Sequence, residues 1–170
     1  LLCAGMAWAT DGIWNGPVGG SWGDNPRWQS GIIADGTNAL ADFSVATIIN
    51  NPTVVKLDGD RTIGSMTIHD NSGNNRAYQY ITGTGGSLWF WGDTVCSVGV
   101  FNATQTGIFT CAFAGDTPIV KTGNGVMLVQ NKNPVHSNGF ILAEGVVGLD
   151  IWDGGRWTQN TLGLGTVSIL

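Results

Sequence analysis

The sequence predicts an all-β protein, a right-handed parallel β-helix (β-solenoid) with a tryptophan-rich capping segment, and three observations predict it. Glycine supplies 27 of the 170 residues while charged residues are only 11%, and Gly is unfavourable in helix interiors but useful at tight corners. The apolar runs are short, and small or polar turn residues interrupt them about every ten to fifteen residues. No Ala/Glu/Lys/Leu-rich segment of helical period is present. A chain wound into stacked β-rungs satisfies all three.

At 170 residues the chain fits one domain with a substantial core. The expected organisation is an apolar arm over residues 1–9 and a single β-solenoid domain over 10–170. A net charge of -5 with seven scattered Lys and Arg argues against a nucleic-acid partner, because neutralising phosphates needs clustered cations. No stretch reaches the roughly eighteen apolar residues of a membrane helix, so no membrane span is expected. So few charges leave sheet edges poorly guarded against pairing with copies of the same chain.

The first nine residues, LLCAGMAWA, read in two ways. They end like a secretory apolar region with a small-x-small cleavage site at Ala7-Trp8-Ala9, which would make the arm a signal-peptide remnant. Alternatively they form a strand that docks on a sheet edge of this molecule or of a neighbour. Trp14, Trp22 and Trp28 then follow among Gly, Asn, Asp and Pro. These rings are expected to cap one end of the core, as a solenoid requires; the functional alternative is a stacking platform for the apolar faces of a glycan.

Rungs are expected at Ala41 to Ile49, Thr53 to Leu57, Thr62 to His69, Ala77 to Thr82, Ser87 to Trp91, Thr94 to Val100, Gly107 to Phe113 and Thr117 to Val120. Alternation puts Gly64, Met66 and Ile68 on one face, then Cys96, Val98 and Val100, then Phe109, Cys111 and Phe113. Turn chemistry separates the rungs at Asp58-Gly59, Gly92-Asp93 and Gly115-Asp116. Three more short strands follow at Val126 to Val129, Phe140 to Ala143 and Val146 to Leu149. Thr166 to Leu170 closes the sequence as an uncharged strand, which either completes the last rung or offers an edge to the next subunit.

Two motifs carry a family resemblance. Lys121-Thr122-Gly123-Asn124-Gly125, the corner Gln130-Asn131-Lys132-Asn133, and Glu144-Gly145-Val146-Val147-Gly148-Leu149 stand in order across 119–150. Upstream come Trp14-Asn15-Gly16, Gly20-Ser21-Trp22, Trp28 and then Leu57-Asp58-Gly59-Asp60-Arg61-Thr62-Ile63-Gly64-Ser65. Together they resemble the autotransporter-associated β-strand repeat of bacterial secreted and surface proteins. Where that repeat has a Tyr-x-Gly-Gly step, this chain has Pro134-Val135-His136-Ser137-Asn138-Gly139. The resemblance implies a β-solenoid located outside the cell, secreted or on its surface; it names an architecture and no activity.

The chain is poor in reactive constellations. Three cysteines cannot form a complete disulfide framework. Cys96 and Cys111 lie on inward faces and either stack as a disulfide or pack as free thiols. His69 and His136 have no second ligand at metal spacing, so neither a metal nor another cofactor is expected; His69 is read as a surface residue. Asp58 with Asp60, and Asp150 with Asp153, are the carboxylate pairs that glycoside hydrolysis would need. Asp58-Gly59-Asp60 sits where a corner needs turn residues, and no run of acids on adjacent rungs accompanies it. Asp70-Asn71-Ser72-Gly73-Asn74 lacks the closing Glu of a calcium loop and is read as a turn.

The function expected is therefore structural and not enzymatic. The protein self-assembles into a fibre or surface layer by strand pairing with copies of itself, through Leu1, Leu2 and Met6 at one end and Val167, Ile169 and Leu170 at the other. The alternative is an adhesin or carbohydrate-binding module of a larger passenger protein, with polysaccharide as partner.

Overall fold

A computed structural model describes residues 9–45, 47, 49–50, 52–71, 78–82, 85–130, 135–149, 152–153, 156–157 and 166–170. The apolar arm, including Leu1, Leu2 and Met6, lies outside these, as do Asp150 and most of the turn after Asn71. Among the described residues the secondary structure is strands, apart from two short 3₁₀ turns at Asn25–Arg27 and Gln29–Gly31.

The strands in chain order are β1 (Gly12–Ile13), β2 (Gly20–Ser21), β3 (Leu40–Phe43), β4 (Thr53–Leu57), β5 (Arg61–Ile63) and β6 (Ser65–Ile68). Next come β7 (Tyr78–Thr82), β8 (Ser87–Phe90), β9 (Cys96–Val100), β10 (Thr106–Phe109), β11 (Ala112–Gly115) and β12 (Ile119–Thr122). Then follow β13 (Val126–Val129), β14 (Val135–His136), β15 (Phe140–Leu142), β16 (Val146–Leu149), β17 (Trp152–Asp153), β18 (Arg156–Trp157) and β19 (Val167–Ile169).

They build three parallel sheets. Sheet 1 runs β1-β3-β6-β9-β12-β15-β19, sheet 2 runs β2-β4-β7-β10-β13-β16, and sheet 3 runs β5-β8-β11-β14. From β3 onward the chain visits sheets 1, 2 and 3 in turn, and each return to sheet 1 adds one strand beside the last. Such a return, here called a circuit, advances by the spacing of hydrogen-bonded strands, about 4.8 Å. The exception is the antiparallel pair β17 and β18, in the stretch that precedes β19.

Parallel register stacks like positions into ladders that run the length of the molecule. One in sheet 1 is Ala41, Met66, Val98, Lys121, Leu142 and Ile169. Another is Cys96, Ile119, Phe140 and Val167. In sheet 2, Val55, Tyr80, Phe109, Val129 and Leu149 align. Most of these side chains are buried, so the core is the space the three sheets face. Aromatic rings form a column through it, with centroids 5.1 Å apart for Phe43 and Tyr80, 4.8 Å for Tyr80 and Phe109, and 5.3 Å for Phe109 and Phe113.

Two expected rungs are each two strands. Thr62 to His69 breaks at Gly64, where the N–H groups of Gly64 and Ser65 both donate to Ala39 O, at 2.9 and 3.0 Å. A Cβ at Gly64 would stand 2.4 Å from Asn38 Cα, so only glycine lets the circuits pass this closely. Gly107 to Phe113 breaks between β10 and β11, where Thr110 N–H and Cys111 N–H both donate to Tyr80 O, at 2.9 and 3.2 Å. Two successive donors sharing one carbonyl of the previous circuit is a bulge-like way to bend a strand. Phe109, Cys111 and Phe113 remain buried through the bend, so the alternation never registers it.

Where the backbone ladders stop at corners, side chains of a neighbouring circuit take over the orphaned donors. Asp35 accepts Thr62 N–H at 2.9 Å, Asp60 accepts Ser87 N–H at 2.9 Å, and Asp11 accepts Leu40 N–H at 2.8 Å. Asn124 does the same for Asn102 N–H, and Asn38 reaches past the intervening circuit to Asp93 N–H, both at 3.0 Å. The Asp and Asn residues of the turns are thus joints between circuits.

Candidate functional site

Strand β19 is the last described strand of sheet 1. Strand β19 pairs with β15, in the register Phe140 with Val167 and Leu142 with Ile169. Phe140 N–H donates to Thr166 O at 2.8 Å and Leu170 N–H to Leu142 O at 3.0 Å. Backbone groups alternate sides along a strand, so the N–H and C=O of Val167 and Ile169 point away from β15. No described strand pairs with that side.

The side chains tell the same story. Val167 and Ile169 occupy positions that are buried further up their ladders, at Ile119 and Phe140 and at Met66 and Val98. At this end they are 53% and 77% exposed, and Leu170 is 85% exposed. With Phe140, Leu142, Val147 and Leu149 they line an open groove of about 170 Å³ that is almost wholly apolar. An open strand edge beside an apolar groove can accept one more strand.

The opposite end is closed. Trp14 and Trp22 are fully buried and Trp28 is 2% exposed. Each indole N–H has a backbone acceptor: Gly16 O at 2.9 Å, Ala34 O at 3.0 Å and Trp22 O at 2.6 Å respectively. All three rings pack on Phe43, with centroids 5.4 to 5.7 Å away. The rings lie buried at one end of the core, as the capping expectation has it, and no ring face is open for the alternative, a sugar-stacking platform. The early Gly, Asn and Pro residues fold the chain back over the rings, which the sequence could not distinguish from a loop that presents them.

Cys96 and Cys111 are free and buried, which corrects the disulfide reading. Cys96 opens β9 on sheet 1, whereas Cys111 occupies the bend between sheets 2 and 3. Burial pushes the Cys96 thiol up to about 11, against a hydrogen bond with Thr117, and the Cys111 thiol up to about 12. Both stay thiols at neutral pH and pack as small apolar groups.

His69 is half-buried, with Nδ1 donating to Phe101 O at 2.8 Å. His136 is fully buried, and its Nε2 donates to Gly139 O at 3.0 Å. Asp58 holds a corner: it accepts Ser21 Oγ–H at 2.8 Å, Gly23 N–H at 3.0 Å and Arg61 at 2.7 Å. Burial raises its carboxyl, but the bonds from Arg61 and Ser21 and the Arg61 charge outweigh that and leave it below the usual value. Arg61 also reaches Asp35 at 3.4 Å, so the Leu-Asp-Gly-Asp-Arg stretch is a joint that ties three turns together.

Sequence reasoning missed Lys121. A lysine is expected at the surface, yet this side chain is fully buried in the sheet 1 ladder between Val98 and Leu142. Its Nζ donates to Thr122 O at 2.7 Å, Gly123 O at 2.6 Å and Glu144 O at 3.1 Å. The corner is built for it by Gly145, whose φ of +78° and tight surroundings admit no Cβ: one would lie 2.4 Å from Gly123 O and 2.9 Å from Nζ. The signal was the Lys-Thr-Gly-x-Gly motif, which the sequence presents as a repeat start without a reason.

No helix among the described residues is long and apolar enough to cross a membrane. In comparisons with family models, curated proteins and solved structures, the chain matches none.

Proposed function

We propose that this protein is structural, a right-handed parallel β-helix that acts outside the cell, secreted or on its surface, and joins copies of itself end to end into a fibre or coat. The observation that carries the reading is the C-terminal end: Val167 and Ile169 hold core positions of their ladders yet stand 53% and 77% exposed beside an open edge. An incoming strand would satisfy the outward N–H and C=O groups of β19 and cover the groove at once. The three sheets visited in turn, each built of parallel pairs, support a closed helical winding.

The donor strand we assign to the apolar arm of another copy, through Leu1, Leu2 and Met6. A head-to-tail contact of this kind propagates as a filament when it does not close into a ring. Light scattering and electron microscopy on the purified chain test this. The wild type should give particles that lengthen with concentration, while Ile169→Lys, or deletion of residues 1–9, should leave monomers. A wild type that stays monomeric at every concentration, or variants that assemble as it does, would refute the reading.

A further inference from the structure

Five tryptophans have described side chains, and they divide by what their polar ends do. Trp14, Trp22 and Trp28 are buried and hydrogen-bonded. Trp89 and Trp91 are not: both sit at outward positions on the strand line of β8, Trp89 half-buried and Trp91 44% exposed. Neither indole N–H has a hydrogen-bond partner among the described residues, and the two rings do not pack on each other or on a third ring.

Together with Gly115, Asp116 and Ser137 they line one shallow depression of about 230 Å³ on the outer face of sheet 3. Asp116 and Ser137 are exposed, and neither the carboxylate nor the hydroxyl has a partner among the described residues. Two indole rings, a carboxylate and a hydroxyl without hydrogen-bond partners among the described residues therefore line one patch of a sheet face. Two large rings line the same depression, which marks the patch out.

We propose that this depression binds an uncharged oligosaccharide. The C–H faces of successive sugar rings would lie on Trp89 and Trp91, which residue alternation spaces about 7 Å apart along the strand. Sugar hydroxyls would donate to Asp116 and exchange hydrogen bonds with Ser137 and the indole N–H groups. The free carboxylate and the net charge of -5 select against acidic glycans. A cage for a quaternary ammonium group needs several rings that enclose the cation; here two rings that do not pack on each other or on a third line the depression. The site is independent of the strand edge at β19, so a monomer would bind as well as a polymer.

The test is titration of the full chain with cellohexaose, xylohexaose, mannohexaose and chitohexaose, and separately with choline, followed by tryptophan fluorescence and calorimetry. At least one of the four sugars should bind the wild type in the range up to about 10 mM. Trp91→Ala should weaken that binding about tenfold or more, the scale expected for a lost stacking face. Asp116→Asn, at an exposed position with no partner to lose, should weaken it without any change in circular dichroism. Absence of binding by all four sugars, sugar binding that survives both substitutions, or binding of choline alone would overturn the proposal.

Discussion

Lys121 and Glu144 clasp two successive circuits at one corner from both directions. The Lys121 ammonium donates to the backbone oxygen of Glu144 at 3.1 Å, and the Glu144 carboxylate accepts the N–H of Gly123 at 3.0 Å. The same ammonium also holds Thr122 O and Gly123 O, so one buried cation serves three carbonyls that the turning backbone would leave unpaired.

Replacing that lysine with methionine should therefore be expensive despite a similar volume. Buried acceptors left without donors cost about 1 to 3 kcal/mol each, so Lys121→Met should lower stability by about 2 kcal/mol or more in urea unfolding. Glu144→Gln keeps an acceptor for Gly123 N–H and should cost about 1 kcal/mol or less. Burial also pushes the Lys121 amine down to about 8 from 10.5, with the Glu144 charge pulling the other way. Between those values the unfolded chain holds the proton more firmly, so this group's contribution to stability rises with pH across the window. The rise should be missing in Lys121→Met.

Phe43 is the ring on which the cap and the body meet. It touches Trp14, Trp22 and Trp28 on one side and Tyr78 and Tyr80 on the other, all with centroids within 5.7 Å. Phe43→Ala should cost about 3 to 5 kcal/mol. Because all three cap rings share this one contact, near-ultraviolet circular dichroism from the tryptophans should fade before the far-ultraviolet strand signal does.

The buried thiols predict a weakness in alkali. Their folded values of about 11 and about 12 lie above the ordinary 9.0, so the folded chain keeps protons that the unfolded chain releases. Stability from these groups is full below about pH 9 and is lost as pH rises through the folded values. With the opposing Lys121 rise removed by Lys121→Met, urea midpoints should fall as pH is raised above about 9, and adding Cys111→Ala should make that fall shallower. A midpoint with equal slope in both proteins would show that the thiol is not the cause.

The strands were legible where a rung is a self-contained run between turn residues: Thr53 to Leu57, Val126 to Val129 and Val146 to Leu149 have the bounds the pattern set. The bends at Gly64 and at Thr110 were not, because a bulge that shares one carbonyl between two donors turns the chain without interrupting the burial of alternate residues. Burial of Trp14, Trp22 and Trp28 against Phe43 depends on how the early loops fold back, and no local pattern encodes that. Lys121 reads as a surface charge because its three acceptors are backbone atoms, one of them in the following circuit. Trp89 and Trp91 read as part of one apolar rung, Ser87 to Trp91, and only the described burial separates their outward faces from Leu88 and Phe90 inside.

The central claim is that the outward backbone of β19 receives a strand from another copy, and amide hydrogen exchange at Val167 and Ile169 measures this directly. Both N–H groups point away from β15, so in an isolated molecule they should exchange as fast as an open edge allows. The account predicts protection at these two amides that grows with protein concentration and disappears in Ile169→Lys at residue 167. Fast exchange at every concentration, or protection that is the same in dilute and concentrated protein, would contradict it.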